Sequence, residues 1–375
     1  MVASFLPYCR SLAESAQPTD RLLWLRIATD VISRTARPEV LLGPEWESQF
    51  DANLDLADEE TRLEVARRLS VSGRTLTRLA GSFLKRPDAA AQWTLEHALH
   101  LPELALAQAL PSVTLASAVA RRPDLSPALV DQLLADGAVA TLVELAGNVR
   151  VRLERAQLAA LVLRAATHAR LSGDRRLARA LLRRSPLTVE FAPLFLDASS
   201  AQRSQILLAA ERATFGAENG RALTPLSTAA VGALERHGLE GEEGLLAEDL
   251  MDALGCDPDI ASRIVADPSG EPLAVTLAAL GAPNDVCVRL LTARDMAEGP
   301  DYPRLGALAR LQGALSPVAA SAVVRAFLGQ DGSPAMHSAT APRRPTPPLQ
   351  ARASDAARAS RKDRAEREKR AGDVG

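Results

Sequence analysis

Apolar residues recur along most of this chain at the spacing of an α-helix. Leu76, Leu79, Ala80, Phe83 and Leu84 fall at i, i+3, i+4, i+7 and i+8, and Ala320, Val323, Val324, Phe327 and Leu328 repeat that template. Leu125, Leu129, Val130, Leu133 and Leu134 form a slightly shifted version. Each set predicts a one-sided apolar face about 100° wide, suited to packing on neighbouring helices. The breaks between stripes carry helix start and stop chemistry. Ser126-Pro127, Ser316-Pro317 and Thr224-Pro225 each place a cap residue before a proline at the first helical position, where the missing N–H costs nothing. Asp58 and Asp257 are further candidate caps, and Gly137, Gly147 and Gly173 suit the left-handed position after a helix. Pro87, Pro111, Pro123, Pro186, Pro268 and Pro283 each bound an apolar run. The segments amount to roughly 16–20 short helices. No alternating strand pattern competes with them.

The chain also repeats itself. Val65-Ala66-Arg67-Arg68 recurs 54 residues later as Val119-Ala120-Arg121-Arg122, and Val71, Ser72, Leu76, Leu79 and Ala80 are matched by Leu125, Ser126, Val130, Leu133 and Leu134. A second echo, Arg86-Pro87-Asp88 against Arg122-Pro123-Asp124, has an offset of 36. Degenerate helical repeats at such periods predict stacked helix pairs. Residues 1–56 read as a helical lead-in with helices near 19–35 and 44–55, residues 57–330 as the repeat body, and residues 215–221 as a junction between two halves. Residues 331–350 hold Pro334, Pro342, Pro345, Pro347 and Pro348 among small polar residues and read as a disordered linker. Residues 351–371 lack an apolar stripe beyond alanine. Asp363–Arg367 and Glu366–Arg370 there support only transient helix.

Composition sharpens this picture. Aromatic residues are 3% of a chain that is 47% hydrophobic. The apolar content is therefore mostly small and unbranched, which favours helices over sheets. The net charge of −2 divides unevenly: residues 331–375 hold ten Arg or Lys against six Asp or Glu, leaving 34 against 40 in the body. A mildly acidic body is not a general polyanion-binding surface. Cys9, Cys256 and Cys287 are too widely spaced for a metal or redox motif and predict reduced thiols. The start of the chain lacks the pattern of a signal peptide, and no stretch reaches the roughly 20 apolar residues of a membrane span. A cytoplasmic protein is expected.

Against this background, VARRPDLSPALVDQLLADG (119–137), followed by Leu145-Ala-Gly-Asn148, resembles the repeat phrase of an uncharacterised bacterial family, domain of unknown function 2336. Residues 56–80 resemble that family's opening repeat, and residues 271–291 with 315–328 its closing segment. The resemblance covers roughly residues 40–329 and is weakest over 186–255. It implies an all-α fold, an α-solenoid of degenerate HEAT-like helix-pair repeats, and it supplies no catalytic residues.

Site chemistry is sparse. His97 and His100 share a helix face, but no third metal ligand accompanies them. His168, His237 and His337 are isolated. There is no GxSxG elbow, no Walker A loop and no GxGxxG turn, so neither an enzyme nor a cofactor is expected. Trp24, Trp46 and Trp93 are expected to anchor packing. The candidate partner-contact residues are the arginine pairs Arg67-Arg68, Arg121-Arg122, Arg175-Arg176 and Arg183-Arg184. Stacked repeats would line up equivalent helix ends, and such a row suits an anionic partner. The plainer expectation is that these cations complete helix C-termini. The sequence thus predicts a non-catalytic protein–protein interaction scaffold or regulator. The alternative is a nucleic-acid binder using the arginine rows and basic tail. A small-molecule sensor with a pocket between helices ranks third.

Overall fold

The computed structural model describes residues 2–35, 37–70, 77–99, 101–215, 222–295, 299 and 301–330. Among them the chain is all-helical, with no strand. The predicted tail at 331–375, His100, Val71, Ser72, Leu76 and all of the 215–221 break except Phe215 lie outside the described residues.

Four helices lead in: α1 (Val2–Ala13), α2 (Pro18–Arg34), α3 (Glu39–Leu42) and α4 (Trp46–Leu54). α1 was not foreseen by the apolar spacing. Trp24 and Trp46 are fully buried, and they share one apolar core with residues as far along as Leu129. The lead-in and the first repeats therefore have no core boundary between them.

Next come α5 (Glu59–Ser70), α6 (Ala80–Phe83), α7 (Ala89–His97), α8 (Glu103–Ala109), α9 (Val113–Ala120), α10 (Pro127–Asp136), α11 (Val139–Gly147), α12 (Arg155–Ser172) and α13 (Arg176–Leu182). They pack in two rows. In one row α2 meets α5, α5 meets α7, and α9, α11 and α13 follow in order. In the other, α8 meets α10 and α10 meets α12. The first residues of α5 and α9, Glu59 and Val113, are 54 apart, with α7 between them. The 54-residue echo in the sequence therefore spans two layers, not one. Short helices of this kind are marginal alone and depend on the faces they bury against each other.

The chain then passes through a 3-10 helix (Val189–Asp197) and α14 (Ser200–Thr214) into α15 (Thr228–Leu239), α16 (Glu243–Leu254), α17 (Pro258–Ala266), α18 (Glu271–Ala279), α19 (Asn284–Asp295), α20 (Tyr302–Ala314) and α21 (Pro317–Leu328). Every residue of α18 from Pro272 to Ala279 is buried. It is enclosed by α17, α19, α20 and α21. A helix that is apolar all round belongs in the middle of a bundle, so this part is organised around a central helix. No single helix among the described residues is long and apolar enough to cross a membrane.

Several predicted caps are present. The Leu129 N–H donates to Ser126 Oγ, the Ala319 N–H to Ser316 Oγ, and the Thr61 N–H to Asp58 Oδ1 at 2.8 Å. Others differ. Thr224-Pro225 does not open a helix: the Leu226 N–H donates to the Leu280 carbonyl, which ties the segment to the end of α18, and Ser227 caps α15 instead. Gly173 is left-handed at the end of α12, with φ +72°. Gly147 is the last residue of α11, and Gly137 has φ −64°. Gly137 is required for a different reason: a Cβ there would run into the Leu133 carbonyl oxygen and come within 3.2 Å of Leu142. Because the obstacle is backbone, Gly137→Ala should cost about 1–3 kcal/mol in urea unfolding. Gly147→Ala, with open space around it, serves as the silent comparison.

All three cysteines are free. Cys9 and Cys287 are 0% exposed, whereas Cys256 is half-buried. Burial raises each thiol, most strongly Cys287, which is pushed up to about 12. The thiolate is the reactive form. Alkylation of the native protein at mildly alkaline pH, read by mass spectrometry, should therefore mark Cys256 first and slowly, with Cys9 and Cys287 reacting only in denaturant. Early labelling of Cys287 would contradict this packing.

Candidate functional site

The arginine pairs do not occupy equivalent places. Arg67-Arg68, Arg121-Arg122 and Arg183-Arg184 close α5, α9 and α13, every second layer of one row, while Arg175-Arg176 opens α13. Within each closing pair, consecutive residues at a helix end point about 100° apart, so the two members meet different surroundings.

Arg122 turns inward and is 2% exposed. Its Nη1 donates to the carbonyl oxygens of Leu95 and Ala98 at the end of α7, the latter at 2.9 Å. Its Nε and Nη2 donate to the two carboxylate oxygens of Asp124 at 2.9 and 2.7 Å. Arg184 does the same one joint further along. Its guanidinium donates to the carbonyls of Leu145 and Ala146 at the end of α11, both at 3.1 Å, and of Val151 in the turn that follows. Among the described residues no carboxylate shares this site, and burial draws the Arg184 pKa down. The negative ends of helix dipoles offset part of that desolvation.

The outward members are neutralised at the surface. Arg121 pairs with Glu96 at 3.1 Å and Glu144 at 3.8 Å. Arg68 pairs with Asp30 and Glu64, Arg175 with Asp197 and Arg176 with Asp174. Side-chain and backbone bonds with Arg176 hold Asp174 at about 2. Arg67 lies 5.0 Å above the Trp93 ring, which stacks on His97. Among the described residues, Arg183 and Arg184 are the two of the eight with neither an ion pair nor a ring contact, and Arg184 is bound to backbone carbonyls instead. The pairs therefore do not assemble into one free cationic stripe.

What they belong to is a set of carbonyl clamps that sequence reasoning mostly missed. Asn148 Nδ2 donates to the carbonyls of Ala120 at 2.9 Å and Arg122 at 2.7 Å, completing α9. Gln202 reaches Leu182 at the end of α13, and Arg203 reaches Phe195 in the 3-10 helix. In the other row Arg164 reaches Leu134 in the last turn of α10 and Gly137 just after it. Arg86 donates to the Asp55 carbonyl after α4, as Arg122 does after α7. The Arg-Pro-Asp echo at an offset of 36 was the available signal for this: both arginines finish an earlier helix.

The densest polar cluster surrounds Arg203, which is 4% exposed. It donates to Asp267 Oδ1 at 3.1 Å and Oδ2 at 2.6 Å, to Ser269 Oγ at 2.8 Å and to Glu271 Oε2 at 3.3 Å. Burial pushes the Asp267 carboxyl up, but the bonds from Arg203 and Ser269 together outweigh it and leave the pKa below its ordinary value.

The histidines are scattered. His97 Nδ1 lies 2.9 Å from the Trp93 carbonyl, His168 is 3.8 Å from Asp174 and His237 is 2.7 Å from Asp249. His337 lies outside the described residues. Among the described residues no three His, Cys, Asp or Glu side chains converge as a metal site. No protein-family model matches the chain, and neither a curated protein nor a solved structure matches it.

Proposed function

We propose that residues 57–330 form a degenerate HEAT-like solenoid that serves as a non-catalytic scaffold or regulator for other proteins in the cytoplasm. The observation that carries this reading is the row α5, α7, α9, α11 and α13, in which each helix packs on the next and side chains from one layer finish the helix before it. Arrays built from nearest-neighbour contacts leave long side surfaces open to a partner. The use of Arg122 and Arg184 inside the fold, and of Arg68, Arg121, Arg175 and Arg176 in ion pairs, favours a protein partner over a nucleic-acid backbone.

Affinity capture from the native cell, with the full chain and with a chain ending at Leu328, tests the proposal after nuclease treatment and quantitative mass spectrometry. A small, reproducible set of proteins held by both chains is expected. A haul that disappears with nuclease would overturn the scaffold reading in favour of nucleic-acid binding, and partners lost with residues 329–375 would remove the helical body as the binding surface.

A further inference from the structure

We infer that the groove between α16 and α17 is a docking site for a basic amphipathic segment of a partner protein, an inference that rests on the scaffold reading and gives it a place and a chemistry. The groove is floored by apolar atoms of Ala247, Met251, Pro258 and Val265, and Glu243 and Glu248 stand on it. Its charge is one-sided. From Gly238 to Ser262 the sequence carries Glu240, Glu242, Glu243, Glu248, Asp249, Asp252, Asp257 and Asp259, with no Arg, Lys or His.

Elsewhere in the fold acidic groups are commonly matched by arginine, as at Glu96, Glu144, Asp197 and Asp267. Here Asp249 is taken by His237, and Asp257 caps α17 through the Asp259 N–H. Glu240, Glu242, Glu243, Glu248, Asp252 and Asp259 are exposed and form no ion pair among the described residues. Of the cations nearest in the chain, Arg236 in the last turn of α15 does not line the groove, and Arg263 of α17 pairs with Asp197 at 2.7 Å. An apolar floor with uncompensated carboxylates calls for an occupant that brings apolar side chains and Arg or Lys together. Charge alone would bind weakly and lose strength with salt, so the apolar floor gives the site its selectivity.

The test uses the full chain and a fluorescently labelled synthetic peptide with leucines on one helical face and arginines flanking them, read by anisotropy at physiological ionic strength. Saturable binding is expected. The double substitution Glu243→Gln/Glu248→Gln should weaken it about tenfold, while Glu39→Gln/Glu45→Gln, near α3 and α4, should leave it unchanged. Replacing the peptide's leucines by serine should also weaken it about tenfold or more. Both double variants alter exposed side chains, and unchanged helicity and melting temperature verify their folding. Absence of saturable binding, unchanged affinity in Glu243→Gln/Glu248→Gln, or equal binding of the serine peptide would each overturn the inference. Such a failure alongside an intact set of captured proteins defeats this site alone. Peptide binding with no captured protein defeats the scaffold reading alone.

Discussion

Replacing Arg122 by alanine is expected to lower the unfolding free energy by about 3 kcal/mol, well beyond the effect of the same change at its neighbour Arg121. The bond to half-exposed Asp124 contributes little of this, because solvent screens it. The larger loss comes from the carbonyls of Leu95 and Ala98, which are left without their charged donor where both residues are buried. Arg122→Lys should recover only part of the loss, since a single ammonium cannot reproduce a fork that reaches two carbonyls and a carboxylate together. Arg121→Ala removes exposed ion pairs to Glu96 and Glu144 and should cost at most about 1 kcal/mol. Urea titrations with unchanged slope measure both. Equal costs for the two arginines would refute the clamp.

The second large effect is expected at Arg203. Arg203→Met leaves Asp267 and Glu271, both largely buried, without their cation, and should cost about 3–5 kcal/mol at neutral pH. The pH dependence has a definite sign. In the native protein the Asp267 pKa is lowered from 3.8, so its stabilising contribution is complete above that value and is lost as the pH falls through the lowered one. Without Arg203, only the Ser269 bonds are left to oppose burial, so the carboxyl pKa rises relative to the native protein and the variant loses less on acidification. The gap between native protein and variant should therefore narrow as urea midpoints are followed from neutral pH down through the carboxylate range. A constant gap would show that Asp267 is not coupled to Arg203.

These arginines also show how far the sequence could be read. Helix positions and several caps followed from local rules: Ser126-Pro127 begins α10 because a hydroxyl acceptor and a residue without an N–H both suit a first turn. The repeat was visible, but its period was not. Val65 and Val119 share a local phrase because α5 and α9 both end in an arginine pair, whereas the intervening α7 ends with His97-Ala98 and has no such phrase to match. Arg121 and Arg122 look alike in composition, and only the packing of α7 and α11 decides which one turns inward. Arg203 gave no local signal at all, because its carboxylate partners lie 64 and 68 residues further along the chain. The groove beside α16 was hidden differently: Gly241-Glu242-Glu243-Gly244 reads as an acidic helix start, and the lack of compensating cations emerges only once Arg263 is seen to be tied to Asp197.

The clamps also give the folded chain a direction in time. The last carbonyls of α7 are satisfied by Arg122, those of α9 by Asn148 and those of α11 by Arg184. A ribosome delivers residues from the N-terminus, so each layer emerges with a raw end that only the following layer can seal. A growing chain therefore advances as a run of finished helices behind one open edge. A C-terminal truncation within this row halts it there, with carbonyls bare, whereas trimming from the N-terminus strands a surplus donor such as Arg122.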